Sequence, residues 1–434
     1  RSQKIFIHPG DYTTIWFAFP PKCAKIYRIN LIPFVSGGEA LTTLFSPVRE
    51  FFKKGDLILL SLCLLASGYG LLLIYSATRY EGGYKSVIVQ FIGIILGIVA
   101  YMLLTFVDLQ LFIDKNWRPT LIASIVLILL LLTPLGLSAG GNLNWLAISK
   151  IIPGFPLNLQ PNEIVKLPFI LLLSLQITKI QEQERDISSL PSLIQIGGFT
   201  VFMLGLIAVV CGDMGMCVVY MVIFAFMAWA SGVKLRWFIL VIGGAVAAVV
   251  ILWLFVLPET SLWNDYRIMR FRVVLDHDLD PQGYGFQQTR SILAIGSGQL
   301  FGQGYLHGDY TQSSYSHTLP ARQTDFIFAV CGEELGLVGC MLLLLILASV
   351  ILRCIWVGRH ASSPFDSYVC MGVAGMLLIQ ITLNVGMCLY VLPVMGLTLP
   401  FISYGGSSII TLFAAMGMVS SVKARTLPSW LRDK

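Results

Sequence analysis

The stretch FIFAVCGEELGLVGCMLLLLILASVIL at 326–352 decides the fold. After Glu334 it runs to Leu352 without a charged residue, and about 20 mostly apolar residues suffice for a helix to cross a bilayer. Nine further stretches read the same way, near 57–75, 87–107, 119–138, 161–177, 193–211, 214–230, 237–257, 369–391 and 397–420. Most are hydrophobic on every side, which is the pattern of membrane helices rather than of amphipathic surface helices. Strict alternation is absent, so a closed membrane barrel is excluded.

Composition agrees. Of 434 residues, 56% are hydrophobic and only 12% are Asp, Glu, Lys or Arg, about half the roughly 25% of a soluble domain. Nine cysteines are sparse, mostly sit in apolar runs (Cys63, Cys211, Cys217, Cys340, Cys370, Cys388) and form no CxxC pair. That argues against a disulfide scaffold and against zinc chemistry. The net charge of +6 is scattered between apolar segments, so nucleic acid is not an expected partner. The expected class is an all-α membrane protein with ten transmembrane helices.

Basic residues orient it. With both termini cytoplasmic, 20 of the 29 Lys and Arg lie inside, the positive-inside bias. The predicted organisation is a cytoplasmic N-terminal extension at 1–55, a membrane domain at 56–422 and a cytoplasmic tail at 423–434. Within the membrane domain, a long outer loop at 258–325 joins helices 7 and 8. The extension shows no cleavable-signal pattern, and no internal repeat stands out.

A loop of that length is usually functional. It carries Gly283, Gly285, Gly296, Gly298, Gly302 and Gly304 beside Arg267, Arg270, Arg272, Arg290 and Arg322. Glycines permit close backbone approach and arginines suit phosphate oxygens. A phosphorylated lipid site and a packed re-entrant loop both fit this composition. His277, His307 and His317 lack ligand spacing and read as polar loop residues. In PNEIVK at 161–166, Glu163 and Lys166 share a helix face; such charges face a cavity or a partner, or snorkel to water. Asp325, at the mouth of the eighth span, reads either as a helix cap or as a catalytic acid or base.

These segments resemble the SEDS family (shape, elongation, division and sporulation) from about Asp56 to Val422. The motifs are SAT at 76–78, GNLNWL at 141–146, PNEIVK at 161–166, DPQGYGF at 280–286, SILAIGSGQLFGQGYLHG at 291–308, LPARQTDFIFAVCGEELG at 319–336, LNVGM at 383–387 and GLTLPFISYGGSS at 396–408. The resemblance implies a peptidoglycan glycosyltransferase that polymerises lipid II in an outward-facing cavity, by inverting transfer with undecaprenyl diphosphate leaving. It makes Asp325 the essential acid, with Lys166 holding it ionised and Glu163 balancing or positioning Lys166. Arg267, Arg270, Gln287, Ser291, Arg322 and Ser403 are the candidate substrate-binding residues. The family pattern is broken where Asn162 replaces Ser, where Cys211-Gly212-Asp213 stands for Gln-Pro-Asp, and where Arg290 stands for Gln.

GYLHG and LNVGM are nearer to the elongation-type members; a division-type polymerase is the alternative, and a lipid II flippase or a scaffold would use the same architecture. The resemblance further implies a divalent cation (Mg or Mn) as cofactor, with no protein metal cluster readable. Its implied partners are a class B penicillin-binding protein (a transpeptidase), lipid II and the nascent glycan strand, and elongasome components. The implied location is the cytoplasmic (inner) membrane.

Overall fold

The computed structural model describes residues 4–6, 14–18, 27–30, 46–81, 84–139, 142–150, 158–256, 266–280, 282–313 and 318–426. It divides into two compact units, Arg1–Lys53 and Lys54–Lys434. The first holds an antiparallel sheet of β1 (Lys4–Phe6), β2 (Thr14–Ala18) and β3 (Tyr27–Asn30), with Lys4 opposite Ala18 and Thr14 opposite Asn30. Helix α1 (Ser46–Lys54) follows. Sequence reading placed no membrane span here and foresaw no strands.

The second unit is helical: α2 (Leu57–Thr78), α3 (Tyr84–Phe106), α4 (Leu109–Leu129), α5 (Pro161–Glu182), α6 (Leu190–Cys211), α7 (Met214–Ala230), α8 (Leu235–Ile251), α9 (Tyr266–Leu275), α10 (Phe286–Ser297), α11 (Ile327–Arg359), α12 (Pro364–Cys388) and α13 (Gly406–Thr426). Eight of these, α2, α3, α4, α6, α8, α11, α12 and α13, are long and apolar enough to cross a membrane. Helix α7 is apolar but shorter, and α5 carries the Glu163–Lys166 charges. Each predicted span therefore corresponds to one helix among the described residues.

Two boundaries move. The 119–138 span sits earlier, because Asp108 caps α4 by accepting from the Leu111 N–H and the helix tolerates Pro119 through a kink at Asn116. Its far end gives way to a hairpin of β4 (Gly136–Ala139) and β5 (Asn142–Leu146), which places GNLNWL outside the helices. The 397–420 span starts only at Gly406. Pro400 and the left-handed Phe401 (φ 65°) keep 389–405 irregular.

The core is built by α11, α12 and α13, the most buried of the long apolar helices. Helix α13 packs most extensively on α3. Gly417 meets Tyr101 Cα at a distance a Cβ would reduce to 2.9 Å, so the two backbones touch as small residues allow in membranes. At one end Asp56 caps α2 and takes two hydrogen bonds from Arg353, at 2.9 and 3.0 Å.

Helix α11 is two helices. Gly336 has φ 66° and ψ −165°, so the axis breaks there. The break receives the glycine-rich loop. Backbone N–H groups of Gln303 and Gly304 donate to the Glu333 and Glu334 carbonyls, and those of Leu337 and Val338 to Gln299 and Leu300. A Cβ on Gly302 would lie 2.2 Å from the Glu334 oxygen. The Glu333 carboxylate accepts from the N–H groups of Tyr310 and Thr311 and from the Thr311 hydroxyl, and Glu334 accepts from Ser76 and Gln312. The two acids thus staple the loop to the bundle, and satisfying them locally answers the cost of burying carboxylates.

Candidate active site

Asp325 ends the long loop, immediately before α11. It is not a cap: Phe326 holds the cap position and makes no side-chain capping bond. Its main chain is held on three consecutive carbonyls instead. Gln323 accepts from the Tyr404 N–H at 2.9 Å, Thr324 from the Ser403 hydroxyl at 2.6 Å, and Asp325 from the Asn384 amide at 2.9 Å. The Cys388 thiol also points at the Asp325 oxygen, at 3.6 Å. Segment 401–405 is fixed in turn by Gln90, which donates to the Ser403 carbonyl and accepts from the Gly405 N–H.

The Asp325 carboxylate itself has no hydrogen bond among the described residues. Part of its surface stays open, yet protein surrounds it closely. Burial pushes the carboxyl up to about 6, the Arg270 guanidinium pulls it back, and the Asp213 carboxylate adds to the rise. A cleft beside it is lined by Asn142, Asp213, Arg270, Phe271, Val394 and Met395, among others. Arg270, on α9, is anchored by donating to the Val394 carbonyl at 3.2 Å. Asp213 caps α7 through the Met216 N–H and accepts from Asn144 of the hairpin at 2.8 Å. Burial raises Asp213 as well, against those hydrogen bonds, and the Glu163 charge raises it further.

Glu163 and Lys166 do share a face, as spacing dictates, and form an ion pair at 2.8 Å with 2% and 0% exposure. Ser408 donates to the same carboxylate at 3.2 Å, which joins PNEIVK to the GGSS end of the C-terminal motif. The cation whose field acts on Asp325 is thus Arg270, while Lys166 is engaged by Glu163. Two departures from the family pattern meet nearby: the Cys211 thiol donates to Asn162 Oδ1 at 3.3 Å.

The remaining candidates divide. Ser291 is buried and donates to the Cys388 carbonyl, and the adjacent Gln288 donates to Met387 and Leu392, so both dock α10 on α12. Arg322 is buried and donates to the Thr311 and Ser313 carbonyls; it braces the loop. Ser403 holds Thr324, as above. Gln287 is half-buried on α10. Arg267 stands on the first turn of α9, and its side chain lies outside the described residues, as does His317. Asp280 opens a turn by accepting from the Gly283 and Tyr284 N–H groups. Arg290 lies over the Phe286 ring at 5.2 Å.

Asp213 and Asn384 are absent from the candidates chosen on sequence. A charge standing alone between two spans was a usable signal for Asp213. Asn384 lies inside a quoted motif, but nothing in the motif says that its amide reaches Asp325. Among the described residues no group of three His, Cys, Asp or Glu is gathered to hold a metal ion. The described side chains do not form a cage for the implied divalent cation.

A bundle of apolar helices, eight of them among the described residues long and apolar enough to cross a membrane, defines a multi-pass membrane protein, and it holds a backbone-clamped carboxylate under the influence of an arginine. The chain belongs to the FtsW/RodA/SpoVE (SEDS) family, described as cell cycle protein, whose model matches residues 56–427.

It is 32% identical over 381 residues to the peptidoglycan glycosyltransferase MrdB of Escherichia coli, covering 86% of this chain and 95% of that one. It is 31% identical over 390 residues to the probable peptidoglycan glycosyltransferase FtsW of Geobacter metallireducens (86% and 96%). Its fold matches a chain of a peptidoglycan synthase complex, whose study concerns the coordination of polymerization and crosslinking, with TM-score 0.68, 27% identity and coverage of 86% and 99%. It also matches the Thermus thermophilus rod shape determining protein RodA, with TM-score 0.60, 24% identity and coverage of 86% and 98%.

Proposed function

We propose that this protein is a peptidoglycan glycosyltransferase that polymerises lipid II, of the elongation type. The observation that carries the reading is the Asp325 carboxylate: unpaired, clamped from behind, partly open, and held near 6. A general base works best with a proton affinity near the operating pH.

In this reading the 4-hydroxyl of incoming lipid II gives its proton to Asp325. Its oxygen bonds to the anomeric carbon of the growing chain as the bond to undecaprenyl diphosphate breaks. One displacement inverts the centre, so a second, nucleophilic carboxylate is not needed. Arg270 faces the charge that develops on the leaving diphosphate. Glu163 and Lys166 act at one remove, since Asp213 feels Glu163 and Asp325 feels Asp213. The divalent cation, Mg or Mn, belongs in this proposal to the substrate's diphosphate rather than to a protein site.

The proposed setting is the cytoplasmic membrane, with both termini inside and the α9–α10 segment outside, as the basic residues favour. The proposed partner is a class B penicillin-binding protein that crosslinks the strand. Purified protein incubated with lipid II, with and without such a transpeptidase, is expected to yield glycan strands resolved by gel. Lipid II left unpolymerised under both conditions would refute the assignment.

A further inference from the structure

Asn384 projects from α12 and is wholly buried. Its side-chain nitrogen donates to two carbonyls, Asp325 at 2.9 Å and Leu397 at 2.7 Å. An amide nitrogen has two hydrogens and can serve both at once. Leu397 ends a short strap, 394–397, that borders the Asp325 carboxylate. The Val394 carbonyl anchors Arg270. A Cβ added to Gly396 would meet one atom within 4 Å, Asp325 Oδ2 at 4.0 Å. One side chain is therefore bonded both to the residue that carries the acid and to the strap that holds the cation.

We infer that Asn384 is a positioning residue that fixes the separation between the Asp325 carboxylate and the Arg270 guanidinium. Without it the direct tie between Leu397 and Asp325 is lost, the ties at Ser403 and Tyr404 lie farther along the chain, and Arg270 shifts with Val394. The groups facing Asp325 are Arg270 from α9, Asp213 from the start of α7 and the Cys388 thiol from α12. Arg270 alone among them opposes protonation, so its withdrawal makes Asp325 easier to protonate. The catalytic consequence rests on Asp325 being the base; the geometric one does not.

The experiment uses full-length protein in detergent, as wild type, Asp325→Asn, Asn384→Leu and Asn384→Ser. Infrared difference spectra across pH report carboxyl protonation, with the Asp325 band assigned by its loss in Asp325→Asn. The midpoint is expected to move up by about 1 pH unit in Asn384→Leu, the lower end of what losing a close cation does. Asn384→Ser keeps one donor and should move it less. An unchanged midpoint in either folded variant overturns the inference, and Asn384→Ser decides alone if the leucine variant does not fold.

Lipid II polymerisation is read in parallel. The expected kcat falls about tenfold with KM unchanged, since a small misplacement of a reacting group acts on the chemical step, and the rising limb of the pH–rate curve shifts with the infrared midpoint. Wild-type protein that fails to polymerise would sink the proposed function, while the infrared titration still decides the role of Asn384.

Discussion

The ammonium of Lys166 lies 2.8 Å from Glu163 Oε2, with Ser408 on the same carboxylate. Both charges are buried inside α5. A pair of this kind contributes little over an apolar pair but is costly to halve.

Lys166→Ala is therefore expected to destabilise the protein by about 3–5 kcal/mol and to abolish polymerisation. The double variant Glu163→Gln with Lys166→Met should melt closer to wild type than Lys166→Ala does. Thermal unfolding in detergent checks this. A double variant no more stable than the single one would mean that the pair is not an isolated unit.

Asp325→Asn should lower polymerisation by about 100-fold or more, since it removes the proton acceptor at constant shape. Its Tm should rise. Folding raises this carboxyl to about 6, so the folded state favours the protonated form. The associated stability is present below the ordinary carboxylate range and is lost as pH climbs through 6. At neutral pH the neutral amide is consequently better tolerated than the anion. A lower Tm for Asp325→Asn would contradict the raised proton affinity.

The same sign fixes the pH dependence of rate. The base must be ionised, so wild-type kcat/KM should rise through about pH 6 and level off above it. Initial rates of lipid II consumption across pH measure the limb. A flat profile between pH 5 and 7, roughly one unit either side of the midpoint, would move the base elsewhere.

Gly336→Ala should prevent stable folding, because a Cβ there would lie 2.3 Å from the Gly302 nitrogen at φ 66°. Strain of this kind costs about 1–3 kcal/mol before any clash is counted. Gly198→Ala is the control, as nothing lies within 4 Å of a Cβ at that site on α6. Size-exclusion profiles and melting curves should separate the two variants.

Orientation is tested with a thiol reagent that cannot cross the membrane. Asp309→Cys should label from outside and Glu182→Cys should not; both side chains are exposed. Position 285 is a poor probe, because a Cβ on Gly285 would lie 2.5 Å from the Tyr390 hydroxyl. Labelling at 182 from outside would invert the topology.

Hydropathy located every long helix because lipid demands an uninterrupted apolar run. It misplaced the ends of α4 and α13, where Asp108 and Pro400 act through local hydrogen bonding and fixed φ rather than through hydrophobicity. It also read 326–352 as one straight span. The break at Gly336 depends on backbone groups 32–37 residues away, the carbonyls of Gln299 and Leu300 and the N–H groups of Gln303 and Gly304, which no local pattern carries. Spacing correctly paired Glu163 with Lys166, a contact within one turn. Arg270 was a candidate only as a phosphate ligand, since its closeness to Asp325 arises from the 394–397 strap. The strands at Thr14–Ala18 and Tyr27–Asn30 went unread, though TIWFA has the β-branched and aromatic residues that favour strands.

The break at Gly336 has a consequence for how the chain enters the bilayer. A continuous Ile327–Arg359 helix would be about 50 Å long, against a hydrocarbon slab of about 30 Å. The segment after the break, 337–359, is about 34 Å and suits that slab with a modest tilt. The carbonyls at the break are satisfied only when amides 303 and 304 arrive from the loop. In the proposed orientation, biogenesis of this span is tied to export of the preceding segment: the half-helix before Gly336 reaches its final state only after the glycine-rich loop has crossed and folded back onto it.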